Sequence, residues 1–291
     1  MVRIVEEHRE GDGNRRFVVG LDDGASVEAV LYRLDSLCVS SQVGCAVGCP
    51  FCASGANGLD RPLRLGELTG QVEAVRAHIE ATDGPEAALA LRRVTVSGVG
   101  EPLHNHEPVA QFVRWCRERD MPASLTTSGG PLRRLGEWLD PDAAPPHNGI
   151  TFSIHAGREA TRARTVPRGP ALGPLFSLLG EAIPRLSRSR KRKLALAYLL
   201  LADLNDGDEE IDAFLERAAP LGVKIHLYRY NPVPTSTQAP VSDARYQAIF
   251  ERVRAVGLDV RRSSQARIED NGGCGTLIAL RRPERRLRTA R

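Results

Sequence analysis

Three cysteines near the start of the chain constrain it more than any other feature. Cys45, Cys49 and Cys52 have the spacing Cys-x3-Cys-x2-Cys, with the aromatic Phe51 directly before the last of them. Thiolates in this arrangement hold three corners of a [4Fe-4S] cluster and leave the fourth iron without a protein ligand. The alternatives are a structural zinc site, which takes four ligands usually in two pairs, and inert buried thiols. The sequence has no second Cys/His pair nearby, so we predict a [4Fe-4S] cluster.

An open iron site suits a small chelating molecule. The amino-acid end of S-adenosylmethionine offers an amine and a carboxylate, which together bind one iron. The cysteine spacing is similar to that of radical S-adenosylmethionine enzymes, so S-adenosylmethionine is the second cofactor that we predict.

The composition permits one large domain and excludes several kinds of protein. A chain of 291 residues with 42% hydrophobic residues is long enough for a substantial core. Four of its six cysteines fall within residues 38–52, which indicates metal and redox chemistry in a reducing compartment. No apolar run approaches membrane-spanning length, and the net charge of +4 permits nucleic acid without demanding it. We expect a soluble, cytoplasmic monomer without membrane contact.

Strand and helix patterns alternate along most of the chain. A turn at residues 22–24 separates two short apolar runs, which is typical of a β-hairpin. Beyond the cysteine loop we predict strands near residues 94–96, 124–127, 150–154, 194–200 and 223–230, and helices near residues 68–79, 109–116, 132–139, 172–183, 211–218 and 246–253. Repeated βα units with right-handed crossovers give a parallel sheet. The prediction is an α/β fold, a partial (βα)6 TIM-like barrel with a short N-terminal β-hairpin extension.

This pattern divides the chain into three parts. Residues 1–37 form an N-terminal β lead-in, residues 38–280 form the barrel with a C-terminal catalytic loop, and residues 281–291 form a basic tail. A second basic run covers residues 185–193. Such runs are usually solvated, although they also contact phosphates in nucleic-acid-binding proteins.

Polar groups follow four of the predicted strands. They lie in residues 98–102 (GVGEP), 126–129 (TTSG), 153–155 (SIH) and 231–232 (NP). In a parallel sheet, functional groups collect at the carboxyl ends of the strands. Each group alone could simply cap its own loop. Four of them beside a cysteine loop indicate one shared site for ribose, carboxylate and adenine groups.

Six motifs, in order along the chain, resemble the RlmN/Cfr family of radical S-adenosylmethionine methyltransferases. They are CVSSQVGCxxxCxFC at residues 38–52, GxGEPLxN at 98–105, TSG at 127–129, SIHA at 153–156, YNPVP at 230–234 and CGxL at 274–277. In that family the enzyme methylates C2 or C8 of an adenine in RNA, on a partial (βα)6 barrel. The resemblance implies the same fold, reaction and substrate class for this chain.

The resemblance also implies a route through two further cysteines, because an electron-poor adenine carbon resists ordinary methyl transfer. One S-adenosylmethionine methylates Cys274, and a second is cleaved to a 5′-deoxyadenosyl radical that removes hydrogen from the S-methyl group. The resulting methylene radical adds to the base. Cys38 matches the family's resolving cysteine, which releases the product and leaves a disulfide with Cys274. Glu28 matches the family's proton acceptor.

The same resemblance assigns the residues that hold S-adenosylmethionine and the kind of partner that reduces the cluster. The implied cofactor-binding residues are Gly100, Glu101, Thr126, Ser153, Ile154, His155 and Asn231. The implied reductant is a small redox protein such as flavodoxin or ferredoxin.

Departures from the family pattern concern the substrate. Family members that act on ribosomal RNA generally carry an N-terminal helical domain, which we expect this chain to lack. Residues 61–63 and 263–273 also differ from the usual family sequence. Three hypotheses stay open: methylation of an adenine in RNA, the same chemistry on a small nucleoside, nucleotide or natural-product intermediate, and a cluster-bearing RNA-binding or sensing protein without turnover. The presence of both Cys38 and Cys274 argues against the third.

Overall fold

Twelve β-strands and nine α-helices make up the described part of the chain, which in this computed structural model comprises residues 2–9, 14–263 and 275–279. The strands are β1 (Arg3–Arg9), β2 (Arg15–Gly20), β3 (Ser26–Tyr32), β4 (Ser36–Val39), β5 (Gln42–Gly44), β6 (Leu59–Pro62), β7 (Arg93–Val96), β8 (Ala123–Thr127), β9 (Ile150–Ser153), β10 (Leu194–Leu200), β11 (Lys224–Arg229) and β12 (Val260–Arg262). The helices are α1 (Leu65–Asp83), α2 (Pro85–Ala90), α3 (His106–Arg117), α4 (Leu132–Leu139), α5 (Glu159–Thr165), α6 (Leu172–Ala182), α7 (Arg188–Lys191), α8 (Asp208–Ala218) and α9 (Asp243–Ala255).

Ten of the described strands form one sheet, and most of this sheet is parallel. Its order is β1-β2-β3-β4-β7-β8-β9-β10-β11-β12. The first four strands pair antiparallel, and every pairing from β4 to β12 is parallel. Side chains from β4 on one side and β12 on the other line the same cavity, so the parallel part curves round. The prediction of an α/β fold with a partial barrel is confirmed.

The predicted N-terminal hairpin is confirmed as β2 and β3. These strands pair with Val19 opposite Val27, on either side of the predicted turn. β1 adds a further antiparallel strand beside β2, and β3 pairs with β4. The lead-in is therefore continuous with the main sheet through β4.

The two faces of the parallel sheet differ in polarity. Residues of β8 and β9 alternate strictly between buried and half-buried positions. The buried set includes Leu125 and Phe152, which belong to the core that packs against the helices. The half-buried set lines cavities inside the barrel and consists of Ser124, Thr126, Thr151 and Ser153. Closed TIM barrels fill this position with large apolar side chains. In this sheet β8 and β9 place polar side chains there, and β10 places Ala197 and Leu199 there.

The helices cover the outer face of the sheet. α1 buries the predicted apolar face, and α3 likewise buries its predicted face, including the Cys116 thiol. Among the described residues, no helix combines the length and the apolar character needed to cross a membrane.

Candidate active site

The three predicted cluster cysteines lie in the loop that connects β5 and β6, residues 45–58, which we call the cluster loop. The two strands pair antiparallel. Gly44 has φ = +81°, and a Cβ there would lie 1.9 Å from the Gly58 carbonyl oxygen, so only glycine fits this entry to the loop. The Cys52 amide donates to the Cys49 carbonyl over 3.1 Å, and a 3-10 turn at Ala53–Gly55 follows. These bonds fold the loop into a compact unit.

Buried polar residues hold the segments on either side of the cluster loop in place. Ser40 Oγ donates to the Glu28 carbonyl over 2.6 Å. Asn105 Nδ2 donates to the carbonyls of Ser41 and Leu63 over 2.8 Å each. Asn105 is the last residue of the GxGEPLxN motif, so this end of the motif holds the segments that flank the loop.

A cavity of about 150 Å³ lies between the cluster loop and the carboxyl ends of the parallel strands. The loop contributes Phe51, Cys52 and Ser54 to its lining. The ends of six strands contribute Cys38, Ser97, Gly98, Thr126, Ser153, His155, Leu199 and Tyr228. The structure therefore brings together five residues that the sequence predicted for the site: Cys38, Cys52, Thr126, Ser153 and His155.

Three other residues predicted to hold the cofactor are near these strand ends but are not among the described lining residues. Gly100 has φ = +111°, and a Cβ there would come within 2.7 Å of the Gln42 side chain. Ile154 is buried and its amide donates to the Ala197 carbonyl over 2.9 Å. Asn231 is buried directly after β11. Their contacts with S-adenosylmethionine stay predictions.

The Glu101 carboxylate, also predicted to bind the cofactor, accepts hydrogen bonds from the protein itself. Thr127 Oγ1 donates to it over 2.5 Å and the Ser128 amide over 2.7 Å. The Leu103 amide donates over 3.1 Å. These bonds join the turn after β7 to the end of β8. A carboxylate has about four acceptor positions, so Glu101 keeps capacity for one further donor such as an ammonium group.

His155 is a neutral hydrogen-bond donor at the end of β9. Its Nδ1 accepts a hydrogen bond from the Leu199 amide over 2.9 Å, so the ring proton lies on Nε2. Burial, together with the charge of Arg162, lowers the His155 pKa to about 3. The ring packs edge-on against Phe51 with 5.3 Å between centroids. The imidazole is thus fixed in place beside the cluster loop.

Arg162 is a site residue that the sequence motifs did not reveal. Its side chain is 1% exposed. The guanidinium donates to the carbonyls of Ser153, Ile154 and Ser128 over 2.6 to 2.7 Å, and to that of Pro170 over 3.1 Å. One buried cation therefore joins the ends of β8 and β9. Arginines at positions 162 and 164 occur on the same short helix, and nothing in the sequence marks the first as buried.

The surroundings of the three thiols fit an iron cluster. Burial raises the pKa of Cys45 to about 12 and that of Cys49 well above its usual value, and neighbouring thiolates raise both further. Bound metal favours the thiolate form, so an iron cluster at this position would offset the cost of ionising these thiols. Within the described ranges, no three Cys, His or acidic side chains are grouped tightly enough for a single metal ion. A cubane places each thiolate on a different iron and does not require that grouping.

Two buried hydroxyls beside the cavity fit a polar cofactor. Ser128 Oγ and Tyr230 Oη have no hydrogen-bond partner in the part of the chain that the structure describes. Buried polar atoms are nearly always hydrogen bonded. Tyr230 packs in a cluster with Phe51 and Leu199, which both line the cavity. The residues present therefore suit a bound molecule with several polar groups, as S-adenosylmethionine is.

Cys38, the predicted resolving cysteine, lines the cavity from β4. Its side chain is 2% exposed. The thiol lies 3.2 Å from Ser97 Oγ, at the end of the neighbouring strand β7. Sequence reasoning missed Ser97, although it directly precedes the GxGEPLxN motif. A hydroxyl that donates to sulfur stabilises the thiolate, which is the reactive form of cysteine.

The predicted methyl carrier, Cys274, lies outside the described residues. The next residue, Gly275, lines the cavity, and its carbonyl accepts a hydrogen bond from the Ala53 amide over 2.9 Å. Ser54 Oγ donates to the Leu277 carbonyl over 2.7 Å. Residues 275–279 are therefore docked against the cluster loop.

Glu28 holds the same C-terminal segment from the other side. Its carboxylate accepts a hydrogen bond from the Ile278 amide over 2.6 Å and forms an ion pair with Arg16. Glu28 is not among the described lining residues of the cavity. Its role as proton acceptor stays a prediction.

Curated proteins and solved structures resemble the chain over most of its length. It is 32% identical to a probable RNA methyltransferase of Chromobacterium violaceum, over 96% of this chain and 76% of that protein. It is 33% identical to a probable dual-specificity RNA methyltransferase RlmN of Rhodopirellula baltica, over 91% of this chain and 71% of that protein. No protein-family model matches the chain.

Among solved structures, a radical SAM methyltransferase from Sphaerobacter thermophilus is 29% identical with a TM-score of 0.79, covering 95% of this chain and 81% of that one. A structure of TYW1 with a lysine-pyruvate adduct bound shares the fold at 13% identity, with a TM-score of 0.60 over 77% of this chain and 74% of that one. The two curated relatives and the Sphaerobacter structure each match more than nine-tenths of this chain. The chain therefore belongs to the RlmN/Cfr family of radical S-adenosylmethionine methyltransferases.

Proposed function

We propose that this protein transfers a methyl group to an sp2 carbon of an adenine in RNA, C2 or C8, with Cys274 as carrier of the one-carbon unit. The observation that carries the proposal is the shared cavity. Cys38 and Gly275, the neighbour of Cys274, line it together with Cys52 of the cluster loop. RNA as the acceptor is supported by the relatives, which are described as RNA methyltransferases.

In this proposal Cys45, Cys49 and Cys52 hold the cluster, and Ser153 and His155 are among the residues that hold S-adenosylmethionine. When bound, these groups supply a methyl donor and a carbon radical that abstracts hydrogen. The chain contributes a small cavity with fixed polar groups, in which the His155 ring presents one N–H donor. A small redox protein such as flavodoxin or ferredoxin supplies the electrons.

Cys38 frees the product from the carrier. The adenine carbon, once joined to the Cys274 sulfur through a methylene group, loses its own hydrogen as a proton, for which Glu28 is the proposed acceptor. The unpaired electron left by radical addition also has to leave, with the cluster, when bound, as its proposed acceptor. The Cys38 thiolate then attacks the Cys274 sulfur, so that the S–S bond forms and the S–CH2 bond breaks. The electron pair stays on the methylene carbon, which takes a proton and becomes the methyl group. A two-electron reductant opens the disulfide for the next turnover.

The carrier role is tested on protein reconstituted anaerobically with iron and sulfide. After incubation with S-adenosylmethionine, peptide mass spectrometry should find a methyl group on Cys274. With dithionite and an adenine-containing RNA, the Cys38→Ala variant should accumulate covalent protein–RNA adduct, because no thiol attacks the linkage. The matched control is Cys116→Ala, which removes a buried thiol of α3 and should release product normally. Normal release by Cys38→Ala would remove Cys38 from the mechanism.

The acceptor is tested by competition between substrates. An RNA containing adenosine should be methylated with a higher kcat/KM than free adenosine, and comparable values would contradict RNA as the substrate. Adenine deuterated at C2 or at C8 identifies the carbon, because only the methylated position loses its label.

A further inference from the structure

The barrel has a second opening at the amino ends of its parallel strands. This opening leads into a cavity of about 500 Å³, larger than the one beside the cluster loop. The basic residues that line it are Arg93, Lys193, Lys224, Arg261 and Arg262. We call these five residues the amino-end rim. They come from β7, from the residue before β10, and from β11 and β12, so they surround the opening.

Two lysines of the amino-end rim keep their charge uncompensated. Lys193 Nζ donates to Asn148 Oδ1 over 2.9 Å, and Lys224 Nζ donates to the Arg192 carbonyl over 2.7 Å. Both acceptors are neutral. Neither lysine forms an ion pair with an acidic side chain in residues 2–9, 14–263 or 275–279. Lys193 is also the last residue of the basic run at 185–193, which the active site does not use.

The arginines of the amino-end rim add to this charge. Arg93 pairs with Asp35, and Arg261 lies 3.5 Å from Asp259. Arg262 donates to a neutral glutamine and stacks on the Phe250 ring, with its Cζ 4.2 Å from the ring centroid. Two carboxylates therefore offset part of five positive charges, and the opening attracts anions.

The interior of the barrel connects this opening with the active-site cavity. Thr126 and Tyr228 line both cavities. The inward-facing side chains of β8, β9 and β11 between the two ends are polar and half-buried, whereas β10 contributes the apolar Ala197 and Leu199. Lys224 and Tyr228 are four residues apart on β11, which is about 13 Å of extended strand. β11 therefore runs over this length from the amino-end rim to Tyr228, which lines both cavities.

The breadth of the amino-end rim favours a polyanion over a single phosphate. Neighbouring strands of a sheet are about 4.8 Å apart, so the five intervals from β7 to β12 span about 24 Å along the sheet. One phosphate group contacts only two or three cations at once. An arc of cations on this scale matches successive phosphates of a nucleic-acid strand.

We propose that the amino-end rim binds RNA phosphates on both sides of the target adenosine, and that the base enters the barrel through this opening. The inference rests on the proposed function and names the route by which the substrate of that site arrives. Base-modifying enzymes take a base from a single strand or turn it out of a helix, and unstacked bases pack on aromatic rings. Tyr228 presents such a ring between the two cavities.

The experiment measures binding of an unstructured 16-nucleotide RNA containing one adenosine to the reconstituted protein between 50 and 200 mM salt. The double variant Lys193→Ala, Lys224→Ala should lose two phosphate contacts, which lowers the slope of log affinity against log salt by about 1.4. Wild type should therefore lose about sevenfold more affinity than the variant over this range. The charge-preserving variant Lys193→Arg, Lys224→Arg should restore the wild-type slope.

The matched control is Arg133→Ala, Arg254→Ala, which removes the same charge from exposed positions on α4 and α9. It should keep the wild-type slope. Equal slopes of log affinity against log salt for wild type and the lysine double variant would overturn the proposal. The proposal would also be overturned if the arginine control lowered the slope as much as the lysine double variant does. Binding is measured without reductant, so the result stands whether or not the RNA is methylated. Failure of wild type to methylate the RNA would instead count against the proposed function.

Discussion

The two ends of the barrel are constructed differently. At the carboxyl ends, the cavity is about 150 Å³ and the groups around it are buried and bonded to one another, as Arg162 is to four carbonyls. At the amino ends, the cavity is about 500 Å³ and Lys193 reaches solvent at its edge. Reactive intermediates need exclusion of water and fixed geometry, whereas a large substrate needs room to enter. The difference is consistent with the proposed arrangement, in which chemistry takes place at the carboxyl ends and the substrate enters at the amino ends.

The largest effect should come from removing the cation that joins the carboxyl ends. Arg162→Met leaves four buried carbonyls without their donor, and hydrogen bonds to charged groups contribute about 1.5–3 kcal/mol each. We expect a loss of at least about 3 kcal/mol in the free energy of unfolding, measured by urea denaturation. Arg164→Met on the same helix is the control, because that side chain is exposed, and it should change stability by less than about 0.5 kcal/mol. A small loss at Arg162 would show that the carboxyl ends are held by other contacts.

An intermediate effect should appear when the pH is lowered. The His155 pKa is about 3 in the folded protein, mainly because of burial, against about 6.5 when unfolded. Between these values the unfolded chain binds a proton that the folded chain does not. Stability should therefore fall as the pH drops below about 6.5, by about 1.4 kcal/mol per pH unit for this group.

This slope is measured by urea denaturation between pH 6.5 and 5. The free energy of unfolding of His155→Gln should fall less steeply with decreasing pH than that of wild type, by about 1.4 kcal/mol per pH unit. His147, whose pKa burial lowers to about 4, supplies a comparable slope that His155→Gln leaves in place. An unchanged slope in His155→Gln would mean that the acid sensitivity lies elsewhere than at the carboxyl ends.

The smallest effect on stability should be at the amino ends. Arg93 and Asp35 form an exposed ion pair there, with side chains 58% and 36% exposed. Exposed pairs contribute about 0.2–1 kcal/mol. We expect Arg93→Ala to lower the free energy of unfolding by less than about 1 kcal/mol, measured by the same denaturation. A loss above about 2 kcal/mol would mean that the rim is a structural element, and the contrast between the two ends would fail.

Much of the fold follows from local sequence patterns. The hairpin of β2 and β3 was predictable because a turn separates two apolar runs, and α1 and α3 because their apolar residues recur at helical spacing. β1 was not predicted, since its sequence RIVEEHR is rich in charge, and its pairing with β2 is a tertiary contact. The polar inner face of β8 and β9 also follows from the alternation in their sequences, but only once the sheet is known to curve.

Site residues were predictable where a sequence motif lies at the end of a predicted strand. They were not predictable where only the tertiary structure distinguishes the residue. Cys38, Thr126, Ser153 and His155 converge because the parallel strands that carry them end at one edge. Ser97 and Arg162 escaped prediction, because one is a single hydroxyl and the other is distinguished only by its burial. The motif predicted that Glu101 binds the cofactor. It did not predict the hydrogen bonds that Glu101 accepts from the end of β8, because these join segments that are distant in the sequence. The predicted domain boundaries are not tested by the structure.

The docking of the C-terminal segment on the cluster loop has a consequence for damaged protein. The two residues after Cys52, Ala53 and Ser54, hold Gly275 and Leu277. Damage that changes the conformation of the cluster loop would therefore also displace the segment that follows Cys274.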